Sequence, residues 1–226
     1  MKQADLDAHS VKWNATDSWV ERLQAYPRVL TALKDEKVSG GGIRRAFVHG
    51  YADSDEVELF LVAMAWGFGS RVRGKLQKAM LGSPPRAKIR GIVDAVQLRG
   101  ALAGWNALFD ENTRISGLGC AFGTKLLYFA AYNTTTNGPR PLILDSNVRI
   151  ALLDAGTGIC ADSRKVLWQD YVEYLELAQR WGEHHTWQVT PEVVEYALFE
   201  RSKRLVDWQN ERRKARKDGE VASTST

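Results

Sequence analysis

Gly117-Leu118-Gly119-Cys120-Ala121-Phe122-Gly123-Thr124-Lys125 is followed by the apolar run Leu126-Leu127-Tyr128-Phe129-Ala130-Ala131-Tyr132. After a polar loop comes Pro141-Leu142-Ile143-Leu144-Asp145-Ser146-Asn147-Val148-Arg149. The first stretch is a glycine-rich turn opening a helix, with a lysine near the helix start, and the last is an acid heading a second helix. Free amides at a helix N-terminus bind phosphate, a lysine amine can attack a sugar carbon, and a carboxylate can stabilise a developing cation.

Outward from this stretch the chain reads as helices. Thr16-Asp17-Ser18 caps a segment through Ala25, Pro27 starts a helix to about residue 37, and Ser39-Gly40-Gly41-Gly42 is a flexible joint before a helix over 43–50. Asp53-Ser54-Asp55 caps 56–66, where Val57, Phe60, Leu61 and Met64 recur at the spacing of a core helix. Gly67-Phe68-Gly69 ends it, 72–80 forms a basic helix, and Ser83-Pro84-Pro85 introduces a longer one to about 109, with Gly100 and Gly104 as candidate breaks. Residues 133–141 form a loop, Asp145 or Ser146 caps a helix to about 155, and helices over 163–181 and 191–214 complete the set. No period-two alternation is long enough for a sheet, so the class is all-α, with one domain over 1–217 and a disordered tail over 218–226.

Composition narrows the chemistry. Two cysteines, Cys120 and Cys160, form at most one bridge and are read as reduced, which places the chain in the cytoplasm and excludes a four-cysteine iron-sulfur cluster. Nothing approaches the roughly 18 consecutive apolar residues of a membrane span, and the N-terminus has no signal core, so no membrane association is expected. His49 and His184-His185 lack metal-ligand partners at suitable spacing, so no metal site is expected. Neither a Walker loop nor a Gly-x-Ser-x-Gly elbow is present, which disfavours nucleotide and serine hydrolysis.

The net charge of +4 is unevenly placed. Residues 1–200 carry 23 basic and 23 acidic side chains, whereas 201–217 carry eight basic against Asp207 and Glu211. Within the balanced part, Arg71, Arg73, Lys75, Lys78, Arg86, Lys88, Arg90 and Arg99 stand against Asp94 alone over 71–99. Such a cluster can attract phosphates, with a solvated helix face as its bland alternative.

The order glycine-rich turn, lysine, apolar helix, acid resembles the helix-hairpin-helix DNA glycosylases, and most closely their 8-oxoguanine glycosylase-like branch. In that superfamily a hairpin of the form hydrophobic-x-Gly-hydrophobic-Gly grips one strand, a lysine in the following helix is the nucleophile, and an aspartate stands some twenty residues on. Lys125 and Asp145 have that spacing. Two registers are available. With Gly117-Leu118-Gly119 as the hairpin, Ala121 occupies the lysine's place. With Ala121-Phe122-Gly123, the preferred register, Lys125 falls in place but Ala121 replaces the first glycine.

The resemblance implies two helical lobes with an interlobe cleft and an enzyme that excises a damaged or modified base, 8-oxoguanine first, with Schiff-base lyase activity. It implies Lys125 and Asp145 as catalytic residues and DNA contacts from Gly117, Gly119, Gly123 and Thr124; the basic cluster adds Arg86, Lys88 and Arg90 as expected phosphate contacts, and the aromatics at the glycine-flanked end of 56–66 add Trp66 and Phe68 as the expected wall of a base pocket. The partner is double-stranded DNA, the enzyme is a monomer, and no cofactor is required beyond a monovalent cation at the hairpin carbonyls. Each assignment has a plainer rival: Asp145 as an N-cap, Lys125 as a surface lysine, the glycines as turn residues, and the aromatics as core. Two other functions stay open, a glycosylase for a modified pyrimidine of phage DNA and a non-catalytic helix-hairpin-helix DNA-binding protein. A third is a helical interaction protein whose basic C-terminal helix binds an acidic partner or RNA.

Overall fold

A computed structural model describes residues 2–72, 74–76, 80, 84–135, 138–161 and 165–223, the last fifteen as backbone alone. Among these residues there are eleven helices and one minimal sheet, and the fold is all-α. Helix α1 (Gln3–Ala8) leads into β1 (Ser10–Val11), then come α2 (Asp17–Arg22) and α3 (Pro27–Gly40). Strand β2 (Ile43–Arg44) pairs antiparallel with β1, Ser10 opposite Arg44 and Val11 opposite Ile43, and runs directly into α4 (Arg45–His49). The rest are α5 (Glu56–Phe68), α6 (Arg86–Arg99), α7 (Ala101–Phe109), α8 (Cys120–Ala130), α9 (Ser146–Asp154), α10 (Trp168–Gly182) and α11 (Pro191–Ser223).

Local chemistry accounts for several boundaries. Asp55 caps α5 by accepting from the amides of Val57 and Glu58, and Asp145 caps α9 in the same way. Gly41, at φ +70°, lets the chain leave α3 in a left-handed turn after the helix has continued three residues past its expected end. The long helix expected after Pro85 breaks at Gly100, which lies at φ +85°, giving α6 and α7. Of the basic helix expected over 72–80, residues 73 and 77–79 fall outside the described residues and only Leu76 of the others is helical; the helix expected from 163 begins instead at Trp168, where the Asp170 carboxylate accepts the Leu167 amide and 165–167 are not helical. Helix α11 passes through Asp218 and reaches Ser223, so its glutamate, lysine, arginine and alanine content carries helical backbone into the segment expected to be disordered.

Helix α5 is the axis of the core. Its apolar stripe predicts one buried face, yet every residue from Leu59 to Trp66 is buried as well as Val57. Helices α3, α4, α6 and α8 pack around it, and each large aliphatic side chain removed from water contributes about 1.5–3 kcal/mol. Helices α7 and α8 approach through reciprocal glycine contacts. A Cβ on Gly104 would lie 2.8 Å from Leu127 Cδ2, and one on Gly123 would lie 2.5 Å from Leu108 Cδ1. Gly123 therefore serves the interhelical contact that sets the position of α8.

Candidate active site

Lys125 and Asp145 meet. Lys125 lies on the second turn of α8, the helix that follows the turn Gly117-Leu118-Gly119, and its Nζ donates to Asp145 Oδ2 at 2.8 Å. Both side chains are nearly enclosed, at 8% and 13% exposure, so the pair is held in a medium where charge interactions are much stronger than in water. The other carboxylate oxygen, Oδ1, accepts the amides of Asn147 and Val148 at 3.0 and 3.2 Å. Burial pushes the Asp145 carboxyl up, but the Lys125 ammonium and these hydrogen bonds more than reverse that and hold it below the usual carboxylate range. Asp145 is both a cap and an enclosed anion.

The segment leading into Asp145 is buried and belongs to no helix or strand, so its backbone polar groups need partners from side chains. Tyr171 donates to the carbonyl of Leu142 at 3.1 Å, Tyr174 to that of Ile143 at 3.1 Å, and the Cys120 thiol to that of Leu144 at 3.3 Å. Thr124 Oγ1 accepts the Leu144 amide at 2.9 Å and donates to the Cys120 carbonyl at 2.9 Å. Thr124 was expected at a DNA phosphate; it is fully buried and instead clamps the chain one residue before Asp145 to the helix that carries Lys125. This clamp holds the lysine and the acid together across twenty residues. Cys120 and Cys160 are free thiols, both raised chiefly by burial, Cys120 to about 12 and Cys160 to about 11.

The wall around the pair differs from its expected composition. Trp66 is buried, with its ring centroid 5.9 Å from Lys125 Nζ, and its Nε1 has no hydrogen-bond partner among the described residues. It belongs to the core beneath the lysine rather than to an open pocket wall. Phe68 is half-buried and stacks on Phe122 at 4.1 Å. These two rings line an open groove of about 730 Å³ with Val11, Lys12, Gly67, Gly69, Ser70, Arg71 and Gly74. The groove adjoins the lysine stem, because a Cβ on Gly67 would lie 3.1 Å from Lys125 Cδ and 2.9 Å from Phe122 Cε1.

The glycines split in the same way. Gly117 lies at φ +85°, where a Cβ would fall 2.3 Å from the Leu76 backbone nitrogen, and Gly119 is the N-cap residue of α8. The preferred hairpin register, Ala121-Phe122-Gly123, lies inside α8, whereas the other register forms the turn before it. Lys125 nonetheless faces Asp145. The basic cluster is partly neutralised: Arg86 pairs with Asp55 and Glu56, Arg90 pairs with Glu56 at 2.9 Å, and Lys88 donates to the Arg114 carbonyl at 3.0 Å. Arg73 and Lys78 lie outside the described residues.

Sequence reasoning set Phe122 in the hairpin and Gly67 at a helix end rather than against the lysine stem, and it missed His9 and a buried ion pair. Arg45 on α4 reaches Glu195 on α11 at 2.7 and 3.2 Å, both at 1% side-chain exposure, and its guanidinium lies over Trp66 and Tyr128 at 5.2 and 5.1 Å. His9 packs edge-on to Trp66 and stacks on Tyr196. A signal existed in the charges set within apolar surroundings, Ala46-Phe47-Val48 after Arg45 and Val193-Val194 before Glu195. Among the described residues no helix is long and apolar enough to cross a membrane, and no three side chains are grouped to hold a metal ion.

The mostly helical fold thus encloses a lysine–aspartate pair, the acid capping one helix and the lysine on the second turn of another. The chain belongs to the family described as "Putative 8-oxoguanine DNA glycosylase OGG-like protein", whose model matches residues 4–199. No curated protein and no solved structure matches it.

Proposed function

We propose that this protein is a monomeric DNA glycosylase that releases an oxidised purine, 8-oxoguanine first, from duplex DNA and then nicks the strand through a Schiff base. The observation that carries the reading is the enclosed 2.8 Å contact between Lys125 Nζ and Asp145 Oδ2, in a family named for this activity. A base within a stacked duplex is out of reach, so the nucleotide must be extruded. The groove floored by Phe68 and Phe122 is the approach that the geometry favours, since aromatic faces accept a base and Lys12 and Arg71 offer charge to its phosphates.

In the chemical step the Lys125 ammonium gives a proton to water, and the nitrogen lone pair so exposed forms a bond to the sugar C1′ as the C1′–N bond breaks. The base leaves with the bonding pair and takes a proton from solvent. Asp145, kept ionised, faces the cationic sugar in the transition state. Loss of one nitrogen proton to water and protonation of O4′ then open the ring to a protonated imine between Lys125 and C1′, from which loss of a C2′ proton expels the 3′ phosphate. The amine, the carboxylate and water suffice, and no cofactor is required.

A panel of duplexes, each carrying one altered base, tests the reading with borohydride as the trap. Trapping on 8-oxoguanine by the wild type, and none by Lys125→Ala with near-normal DNA affinity, is the expected result. A persistent adduct in Lys125→Ala would move the nucleophile elsewhere. Base release without trapping would indicate water as the nucleophile. Release of enlarged cytosine with 8-oxoguanine left intact would replace the substrate and keep the chemistry.

A further inference from the structure

The family match ends at residue 199, and the character of the chain changes just beyond it. Up to Ser202, α11 is part of the body: Val193, Val194 and Leu198 are buried, Glu195 pairs with Arg45, and Ser202 is buried with its hydroxyl 3.5 Å from Asn147 Oδ1. From Lys203 to Trp208 every side chain is exposed except the half-buried Leu205. The helical backbone nevertheless continues to Ser223, about 30 Å further at 1.5 Å per residue.

Charge is concentrated on this extension. Of the eight basic residues over 201–217, Arg201 is spent on Asp154 at the end of α9 and Lys203 on Glu200, which leaves Arg204, Arg212, Arg213, Lys214, Arg216 and Lys217 against Asp207 and Glu211, with Asp218 and Glu220 further on. Arg212 and Arg216 are four residues apart, as are Arg213 and Lys217, and Arg213 and Arg216 are three apart. Like charges at these spacings repel on a helix, whereas a solvated helix gains from alternating signs. A polyanion relieves that repulsion and gains entropy by releasing its counterions.

We propose that α11 beyond Ser202 is a second DNA-contacting arm, which grips duplex phosphates without reading sequence and lies outside the family's catalytic body. The choice of DNA among polyanions rests on the glycosylase reading above. The arm's root supports it: Ser202 touches Asn147, two residues past Asp145, and Arg201 pins the far end of the same helix. Duplex held by the arm is thereby kept beside the helix whose N-cap is the candidate catalytic acid. The arm supplies affinity and residence on undamaged DNA, and the chemistry stays with Lys125 and Asp145.

The test uses the full chain with Arg212, Arg213, Lys214, Arg216 and Lys217 all changed to Gln, which keeps helix propensity and removes charge. Binding to a fluorescein-labelled undamaged duplex is followed against salt, beside single-turnover base release at saturating enzyme. Each lost phosphate contact flattens the log–log salt slope by about 0.9, so a loss of roughly two units or more is expected, with the single-turnover rate unchanged. Restoring charge with Lys at all five positions recovers the slope, which a merely unfolded arm would not do. An unchanged slope overturns the proposal, as does intact duplex affinity with lost affinity for an RNA duplex or a polyglutamate peptide. Failure of the glycosylase reading shows separately, as a wild type that binds DNA with a steep salt slope but releases no base.

Discussion

At Asp145 one carboxylate serves two purposes, and substitutions separate them. Asparagine can still accept the Asn147 and Val148 amides but carries no charge toward Lys125. Asp145→Asn should therefore lower single-turnover base release by orders of magnitude in a folded protein. Asp145→Ala should lose a further ~1 kcal/mol of stability in urea titration, the usual value of a lost cap. Normal base release by Asp145→Asn would remove the electrostatic assignment. Gly67 makes a finer test of positioning. Its absent Cβ leaves room for the Lys125 stem and the Phe122 ring, at hypothetical distances of 3.1 and 2.9 Å. Gly67→Ala should displace both by a few tenths of an ångström and slow borohydride trapping about tenfold, since a 1 Å displacement in a site can cost about a hundredfold. Trapping at the wild-type rate would show that the lysine is not held by this contact.

Among the elements, α4 and α11 are joined by Arg45 and Glu195, which are far apart in the chain and closed off from water. Removing one partner of such a pair strands a charge, so Glu195→Gln should cost about 3–5 kcal/mol in chemical denaturation. The double variant Arg45→Met, Glu195→Leu should recover most of that loss, because two apolar side chains of similar volume avoid the desolvation cost. A double variant as unstable as the single one would mean that the guanidinium's place over Trp66 and Tyr128 cannot be repacked. Helices α8 and α9 show the reverse economy. Beside the Lys125–Asp145 pair, two neutral hydrogen bonds hold them, the Leu144 amide donating to Thr124 and the Cys120 thiol donating to the Leu144 carbonyl, and neither needs a counter-charge.

For the whole molecule, acid stability follows from groups buried in their neutral or paired forms. His9 and His49 are both pushed down to about 3, by burial first and then by the Arg45 charge. Between that value and the ordinary histidine range near 6.5 the unfolded chain binds more protons than the native one, so stability rises with pH across the window and is lost on acidification. Asp145 adds to the loss at lower pH, since its depressed carboxyl stabilises the fold above the unfolded carboxylate range and ceases to do so as pH falls through its folded value. The melting temperature should be level near neutrality and fall below about pH 6.5. His49→Gln should flatten that fall by up to about 1.4 kcal/mol per pH unit. An equally steep acid limb in His49→Gln and in His9→Gln would assign the transition to carboxylates alone.

Features written in adjacent residues were legible in the sequence. The stripe on α5, the caps at Asp55 and Asp145, the break at Gly100 and the all-α class are decided within one or two helical turns of chain. The pairing of Lys125 with Asp145 was readable through the family's spacing, although spacing alone does not bring the two together. That depended on Thr124 holding Leu144, a contact with no mark in the sequence beyond a threonine beside a lysine. The tertiary structure also decided that Gly123 faces Leu108 rather than a phosphate, that Trp66 lies beneath the lysine while Phe68 and Phe122 line the groove, and that Arg86 and Arg90 meet acids some thirty residues away. Local order follows from backbone hydrogen bonds and caps between chain neighbours. Burial and charge pairing depend on which helix faces meet, and that is determined only when the whole core packs.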